Sequence, residues 1–199
     1  MNLKEFAAKP LTSNEDALAA IKESAFEEVC TYICDGDDSR VMRLLNALWI
    51  SRQSFTREQI LEAIVRALFP GNGYMRCAAS ATAIGLAKAA GCEADLQRIV
   101  QDRWPTIDER GCNELVLGLS SCADPAAWFP VLPLLFESND SNEVRTSLIT
   151  VANNIFRCKE LRDARRLLLE FLSRMPTEAT AYARPHNFQF VCNLRASLH

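Results

Sequence analysis

The segment DSNEVRTSLITVANNIF, residues 140–156, carries the pattern that decides the fold class. Asp140 or Ser141 is a favourable helix N-cap, and the residues that follow suit a helix ending near Phe156. Arg145 falls in the first turn of this helix, and the small residue Ala152 follows seven positions later. Because a small residue lets another helix approach closely, the segment predicts a helix that stacks on its neighbours.

The same arrangement recurs along the chain with a period near 35 residues. An arginine lies in the predicted first turn of every second helix, with spacings of 36, 34 and 35 residues between Arg40, Arg76, Arg110 and Arg145. Seven positions after these arginines come Ala47, Ala83, Leu117 and Ala152. Other predicted helices, at 56–69, 93–104, 125–137 and 159–174, lie between. A period near 35 with two helices per unit is typical of helical solenoids, in which each pair buries its apolar face against the next.

Helix start and stop signals divide the rest of the chain. Capping boxes at 12–15 and 106–109 predict two helix starts, and Gly91 suits a left-handed C-cap. The predicted helices include 15–33, 39–51, 57–69, 74–90, 93–104, 159–174 and a last one at 187–198. No segment shows the sustained alternation of an exposed strand. The chain is therefore predicted to be all-α.

Two segments resemble the second helix of HEAT repeats. They are Asp140–Arg145 with its continuation to Ala152, and Met75-Arg76 with its alanine-rich continuation to Leu86. Pro130 and Pro133 would kink a first helix, as in many HEAT repeats. The resemblance covers roughly residues 15–174 and implies a short right-handed α-solenoid of about five helix pairs. The whole chain, 1–199, would form one domain, with 176–199 as its C-terminal capping segment. The alternative is an irregular helical bundle.

Composition favours a folded cytoplasmic protein. Hydrophobic residues make up 49% of the 199 residues and charged residues 24%, and the opening residues do not resemble a signal peptide. The eight cysteines are scattered without a C-x-x-C pair, and the only histidines are His186 and His199. These residues form no recognisable metal or catalytic pattern, so no metal or cofactor is expected. The longest apolar run, 126–136, contains two prolines and is too short to span a bilayer, so no membrane segment is expected.

The net charge of −3 is unevenly distributed. Residues 1–142 carry 13 basic and 20 acidic side chains, whereas residues 143–199 carry 9 basic and 5 acidic ones. The most acidic stretch is Glu23–Asp38, and the basic counterpart lies at 157–166. An acidic surface of this kind favours a basic partner, although ordinary solvated helix faces would give the same pattern.

The predicted function is a non-enzymatic protein–protein interaction module. A small cytosolic adaptor or inhibitor, such as a bacterial immunity protein that neutralises a toxin, would bind its partner on the concave face of a solenoid. The residues predicted to be exposed on that face are Arg43, Asn46, Ser80, Asn113, Glu114, Thr150, Asn153 and Asn154. The oligomeric state is left open.

The alternative function is a HEAT-like DNA-binding or DNA-glycosylase-type repair enzyme. Such an enzyme would need an acidic residue and an aromatic side chain on a basic face, for which Asp102 with Trp104 or Asp124 with Trp128 are candidates. The overall acidity of the chain argues against nucleic acid as the partner, because phosphate binding depends on clustered cations.

Overall fold

A computed structural model describes residues 1–70, 76, 79–107, 115, 119, 131, 133–134, 142–157 and 164–198. Within these ranges the chain forms ten α-helices and no β-strand, which confirms the prediction of an all-α chain. The chain divides into two compact units, Met1–Glu114 (unit 1) and Leu115–His199 (unit 2). The helices predicted at 106–120 and 125–137 fall largely outside the described residues.

Unit 1 contains seven α-helices among its described residues. They are α1 (Leu3–Ala8), α2 (Asn14–Glu23), α3 (Phe26–Asp35), α4 (Asp38–Ile50), α5 (Arg57–Leu68), α6 (Ser80–Ala89) and α7 (Glu93–Arg103). Short 3-10 turns, Arg52–Ser54 and Trp104–Thr106, follow α4 and α7. Gly91 adopts a φ of +70° after α6, which confirms the left-handed residue predicted there.

The first predicted capping box is displaced by one residue. Ser13, rather than Thr12, caps α2: its side chain accepts from the Asp16 amide, and the Asp16 carboxylate accepts from the Ser13 amide. The Thr12 hydroxyl instead accepts a hydrogen bond from Arg43 of α4 at 2.8 Å. Thr12 therefore ties the start of α2 to α4.

The single helix predicted over 15–33 is two helices, separated at Ser24 and Ala25. Ser24 has extended backbone angles, and its Oγ accepts a hydrogen bond from the Leu3 amide at 3.1 Å. Leu3 belongs to α1, a helix that the sequence analysis did not predict, so this contact was not foreseen.

The helices of unit 1 pack in two rows. In one row α2 packs against α4 and α4 against α6, while in the other α3 packs against α5 and α5 against α7. Successive helices from α3 to α7 also pack against each other, which joins the rows. The core between them contains fully buried α4 residues such as Leu44, Leu45 and Leu48. Contacts between next-but-one helices therefore dominate the packing of this unit.

The regularly spaced arginines bind backbone carbonyl groups. Arg40 donates to the Lys9 oxygen just after α1 at 2.8 Å, and Arg76 donates to the Ile33 and Cys34 oxygens at the end of α3 at 2.6 and 2.9 Å. Arg145 donates to the Ala181 oxygen. Carbonyl groups at helix ends lack partners within the helix, so a guanidinium placed there satisfies them. Arg110 lies outside the described residues, and Arg76 precedes α6 instead of lying in its first turn.

The small residues seven positions after the arginines lie inside the protein. Ala47 of α4, Ala83 of α6 and Ala152 are fully buried, and α4 and α6 pack against each other. The corresponding Leu117 lies outside the described residues. Their burial agrees with the interior, helix-facing position that the spacing predicts.

Unit 2 contains three described α-helices: α8 (Asn142–Arg157), α9 (Ala164–Arg174) and α10 (Pro185–Leu198). α10 packs against both α8 and α9, with Val191 and Leu194 buried. Arg195 of α10 donates to the Met175 oxygen at 2.8 Å, and the Asn187 amide donates to the Thr146 hydroxyl at 3.2 Å. The segment after Pro176 is thus part of the packed core of this unit.

Candidate functional site

The predicted concave-face residues fall in both units. Arg43 and Asn46 are half-buried on α4, and Arg43 is engaged with Thr12. Ser80 contradicts the prediction of exposure: it is only 2% exposed at the start of α6. The helical register placed it on a surface, but its helix packs against both α4 and α5. Asn113 and Glu114 lie outside the described residues.

The remaining predicted residues lie on α8 in unit 2. Thr150 is exposed, and its hydroxyl donates to the Thr146 oxygen at 3.3 Å. Asn153 and Asn154 are half-buried. The predicted set is thus divided between two units, and among the described residues of unit 1 the members that are not fully buried are the two half-buried side chains on α4.

A groove of about 620 Å³ in unit 1 is a better candidate. It is lined by residues of α1 and α3, together with Glu23 at the end of α2 and Ser24 of the α2–α3 junction. Its apolar surface comes from Leu3, Ala7 and Tyr32, and its acidic surface from Glu23, Glu27, Glu28 and Asp35. Lys4 is the one basic residue that lines it. This volume is in the range typical of pockets that bind small molecules and cofactors.

The α1 wall is held in place by three interactions. The Asn2 side chain accepts from the Glu5 amide and the Glu5 carboxylate accepts from the Asn2 amide, which forms a capping box at the start of α1. The fully buried Phe6 ring meets the Tyr32 ring edge-on, with centroids 6.1 Å apart. The Leu3 amide bonds to Ser24 as described above. A six-residue helix gains little from its own hydrogen bonds, so these contacts fix it.

The α3 wall follows from the amphipathic sequence of that helix. Val29, Cys30 and Ile33 are buried and face the core, where α3 packs against α5. Glu28 and Asp35 lie seven residues apart on the groove side and are exposed. Residues at this spacing share a helix face, so the pattern that buries one side of α3 presents two carboxylates on the other.

The groove carboxylates differ in their ion pairs. Glu27 lies 3.1 Å from Arg66 of α5, which also pairs with Glu62 at 2.6 Å, and Glu23 lies 2.8 Å from the amino group of Met1. Among the described residues, Glu28 and Asp35 take part in no ion pair. These two carboxylates are therefore available to a ligand. Burial raises the pKa of the Tyr32 hydroxyl, which stays neutral.

The sequence reading identified the acidic stretch but not the groove. Glu23–Asp38 stands out by its acidic composition, and the four acidic residues that line the groove belong to this stretch. The missing element was α1, whose signal was Asn2 followed three positions later by Glu5 around the apolar residues Leu3 and Phe6. Without α1 the groove has no second wall, so in the sequence the acidic residues look like an ordinary solvated helix face.

The other candidate residues do not form a catalytic or metal site in the described part of the chain. Burial raises the pKa of the Cys30 thiol to about 12 and also raises that of Cys92, the reverse of what a nucleophilic cysteine needs. No described cluster of three or more histidine, cysteine or acidic residues could hold a metal ion. Trp104 is half-buried in a 3-10 turn beside the exposed Asp102, while Trp128 and Asp124 lie outside the described residues.

Comparisons with models of protein families, with curated proteins and with solved structures gave no match. None of the helices in the described ranges combines the length and the apolar character that crossing a membrane requires.

Proposed function

We propose that this chain is a non-enzymatic protein-binding module whose acidic groove binds a basic region of a partner protein. The observation that carries the proposal is the pair of exposed, unpaired carboxylates, Glu28 and Asp35, beside an apolar surface. A groove that combines apolar contact area with a few placed charges suits the long side chains of lysine and arginine, whose stems pack while their charged heads remain solvated.

The charge of unit 1 supports a basic partner. This unit carries 13 basic and 17 acidic side chains, whereas unit 2 carries 9 basic and 8 acidic ones. A net negative unit accelerates association with a cationic protein and disfavours the phosphates of nucleic acid. This negative charge would suit a small inhibitor, such as an immunity protein, that binds a basic protein.

The packing of unit 1 supports the α-solenoid type of architecture. Contacts between next-but-one helices in two joined rows are what stacked helix pairs produce. The carbonyl-binding arginines Arg40 and Arg76 recur at the period of that stack. Within such an architecture α1 would cover the first pair, and the groove would lie at the start of the stack.

The test is purification of the tagged chain from the cells that encode it, followed by mass spectrometry and an absorbance check for nucleic acid. Three forms are compared: the unchanged chain, the double variant E28K/D35K, and the control E58K. Glu58 is an exposed carboxylate in the first turn of α5 that does not line the groove, and so it matches Glu28 in its place on a helix.

A protein that copurifies with the unchanged chain and with E58K, but not with E28K/D35K, would support the proposal. A partner retained by all three forms would contradict the groove as its site. Nucleic acid that copurifies and is released by salt would contradict the proposal and favour the DNA-binding alternative.

A further inference from the structure

The exposed face of α9 in unit 2 is a surface that the proposed function does not use. Arg165 and Arg166 are exposed in the first turn of this helix, and Leu169, one turn later on the same face, is 36% exposed. Arg165 donates to the Leu198 oxygen at 3.0 Å, which anchors its side chain at the end of α10. The opposite face of α9 is buried in the core of unit 2 through four apolar residues, Leu167, Leu168, Phe171 and Leu172. The basic stretch 157–166 of the sequence thus ends in a helix face that combines two cations with an apolar side chain.

The charge of this face is opposite to that of the groove in unit 1. The stretch Glu23–Asp38, which supplies the four groove carboxylates, has six acidic residues and no basic one. The helices α8, α9 and α10 carry six arginines and two glutamates. Two copies of the chain therefore attract each other when the groove of one faces α9 of the other, whereas two grooves or two α9 faces repel each other.

The two surfaces also match in their apolar parts. The groove presents Leu3, Ala7 and Tyr32 beside its carboxylates, and the α9 face presents Leu169 beside its arginines. Leu169 and the aliphatic stems of the arginines can pack on the apolar surface of the groove while the guanidinium groups pair with its carboxylates. Because α9 is already folded and held by the core of its own unit, docking it requires no ordering of a flexible segment.

We infer that the groove of one copy of this chain binds the α9 face of a second copy, with the arginines of that face set against the groove carboxylates. The inference rests on the proposed protein-binding function and names the partner of the groove. A contact between two different surfaces is heterologous, so it closes into a ring of two or more copies or continues as an open chain. Association is then expected to increase with concentration and to weaken with salt.

The test is sedimentation velocity of the purified full chain over a range of micromolar concentrations, at low and at high salt. The unchanged chain is compared with E28K/D35K, which reverses the charge of the groove, and with R165E/R166E, which reverses the charge of the α9 face. The unchanged chain is expected to associate. Each double variant should associate at least about tenfold more weakly, because attractive charge pairs become repulsive.

Control variants separate the contact from net charge and from loss of folding. E58K and R184E change exposed charges that belong to neither surface, so both should associate like the unchanged chain. Leu169→Ser leaves every charge in place and should weaken association about threefold, because it removes apolar contact area. All the substituted side chains are exposed, so the thermal unfolding midpoints should stay close to that of the unchanged chain.

Mixing the two double variants tests the pairing of the surfaces directly. E28K/D35K retains the α9 face and R165E/R166E retains the groove, so their equimolar mixture is expected to form complexes that neither variant forms alone. The quadruple variant, which carries all four substitutions, has the net charge of the unchanged chain. It should regain association, because both surfaces are reversed together.

A chain that stays monomeric at all concentrations, association that either double variant leaves unchanged, or a mixture that forms no complex would overturn the inference. So would a loss of association in E58K as large as that in E28K/D35K, because net charge alone would then explain it. These failures are separable from failure of the proposed function. A partner of different sequence that copurifies with the unchanged chain and is lost with E28K/D35K would keep that function for a monomeric chain.

Discussion

At Gly85, the backbone of α6 lies against the indole ring of Trp49 on α4. A Cβ atom added to Gly85 would come within 2.5 Å of the Trp49 Cζ3 atom, a distance that real side chains essentially never show. Glycine normally weakens a helix interior by about 0.5–1 kcal/mol relative to alanine. The presence of glycine here is explained by the ring, which occupies the space that a methyl group would need.

Gly85→Ala is therefore expected to lower the free energy of unfolding by about 1–3 kcal/mol, although the same change in an uncrowded helix would raise it. The measurement is urea denaturation of the four forms of a double-mutant cycle with Trp49→Ala. In the Trp49→Ala background, Gly85→Ala should be neutral or stabilising. A loss of equal size in both backgrounds would show that the ring is not the cause.

The buried thiol of Cys30 makes the folded chain less stable at alkaline pH. Burial raises the pKa of its thiol from 9.0 to about 12 in the folded chain. Between these values the unfolded chain loses the proton while the folded chain keeps it, so the free energy of unfolding falls as pH rises above about 9. The stabilisation is fully present below pH 9 and is lost as pH approaches 12.

The check is urea denaturation at several pH values from neutral to alkaline, for the unchanged chain and for Cys30→Ala. Each thiol contributes at most about 1.4 kcal/mol per pH unit to the slope. The Cys30→Ala variant is less stable at neutral pH because it leaves a cavity, but its stability should decline less steeply above pH 9. Parallel declines would contradict the assignment to Cys30.

At the scale of elements, α10 completes the core of unit 2. Val191 and Leu194 are buried where α10 packs on α8 and α9, and Arg195 satisfies carbonyl groups that follow α9. Pro185 is its first helical residue, a position where the missing amide hydrogen has no cost. The sequence predicted this helix over 187–198, two residues shorter at its start.

Val191→Asp should destabilise unit 2 by about 3 kcal/mol, because it buries a charge without a partner among apolar residues. Gln189→Asp, on the exposed side of the same helix, should change stability by less than about 0.5 kcal/mol. Circular dichroism during urea denaturation measures both. Similar effects of the two substitutions would mean that α10 is a loose appendage of the chain.

Elements with strong local signals were predictable, and those fixed by distant contacts were not. The start of α5 at Arg57 and the left-handed Gly91 depend on neighbouring residues alone, and both predictions are confirmed. At the break, Ser24 bonds an amide 21 residues earlier in α1, and Ser80 is buried at the start of a helix that packs on α4 and α5. The groove needed both α1 and the Ser24 break, which is why only its acidic composition was visible in the sequence.

At the scale of the whole molecule, the division into two compact units predicts that a destabilising substitution acts mainly on the unit that contains it. Each unit has its own buried core: α4 supplies much of the core of unit 1, and α10 closes that of unit 2. Compact units of this kind often open separately during fluctuations of the native state. A substitution should then alter the opening of its own unit more than that of the other.

Hydrogen exchange followed by mass spectrometry tests this expectation. Val191→Asp should accelerate exchange in α8 and α9 while leaving α4 and α5 unchanged, and Gly85→Ala should do the reverse. Acceleration throughout the chain by either substitution would show that the two units open as one. The Gln189→Asp variant serves as the control that should resemble the unchanged chain.

The contact of Arg76 with the end of α3 has a consequence for the order of events on the ribosome. Arg76 is 5% exposed and binds carbonyl oxygens 43 and 42 residues earlier in the chain. At about 5–20 residues synthesised per second, the end of α3 waits about two to eight seconds for this guanidinium. Until then water must hydrate those carbonyls. Ala181, whose oxygen accepts from Arg145, is likewise synthesised after its partner. Lys9, in contrast, is already present when Arg40 is synthesised. The speed of translation between α3 and residue 76 therefore sets how long the carbonyl groups at the end of α3 stay without their guanidinium partner.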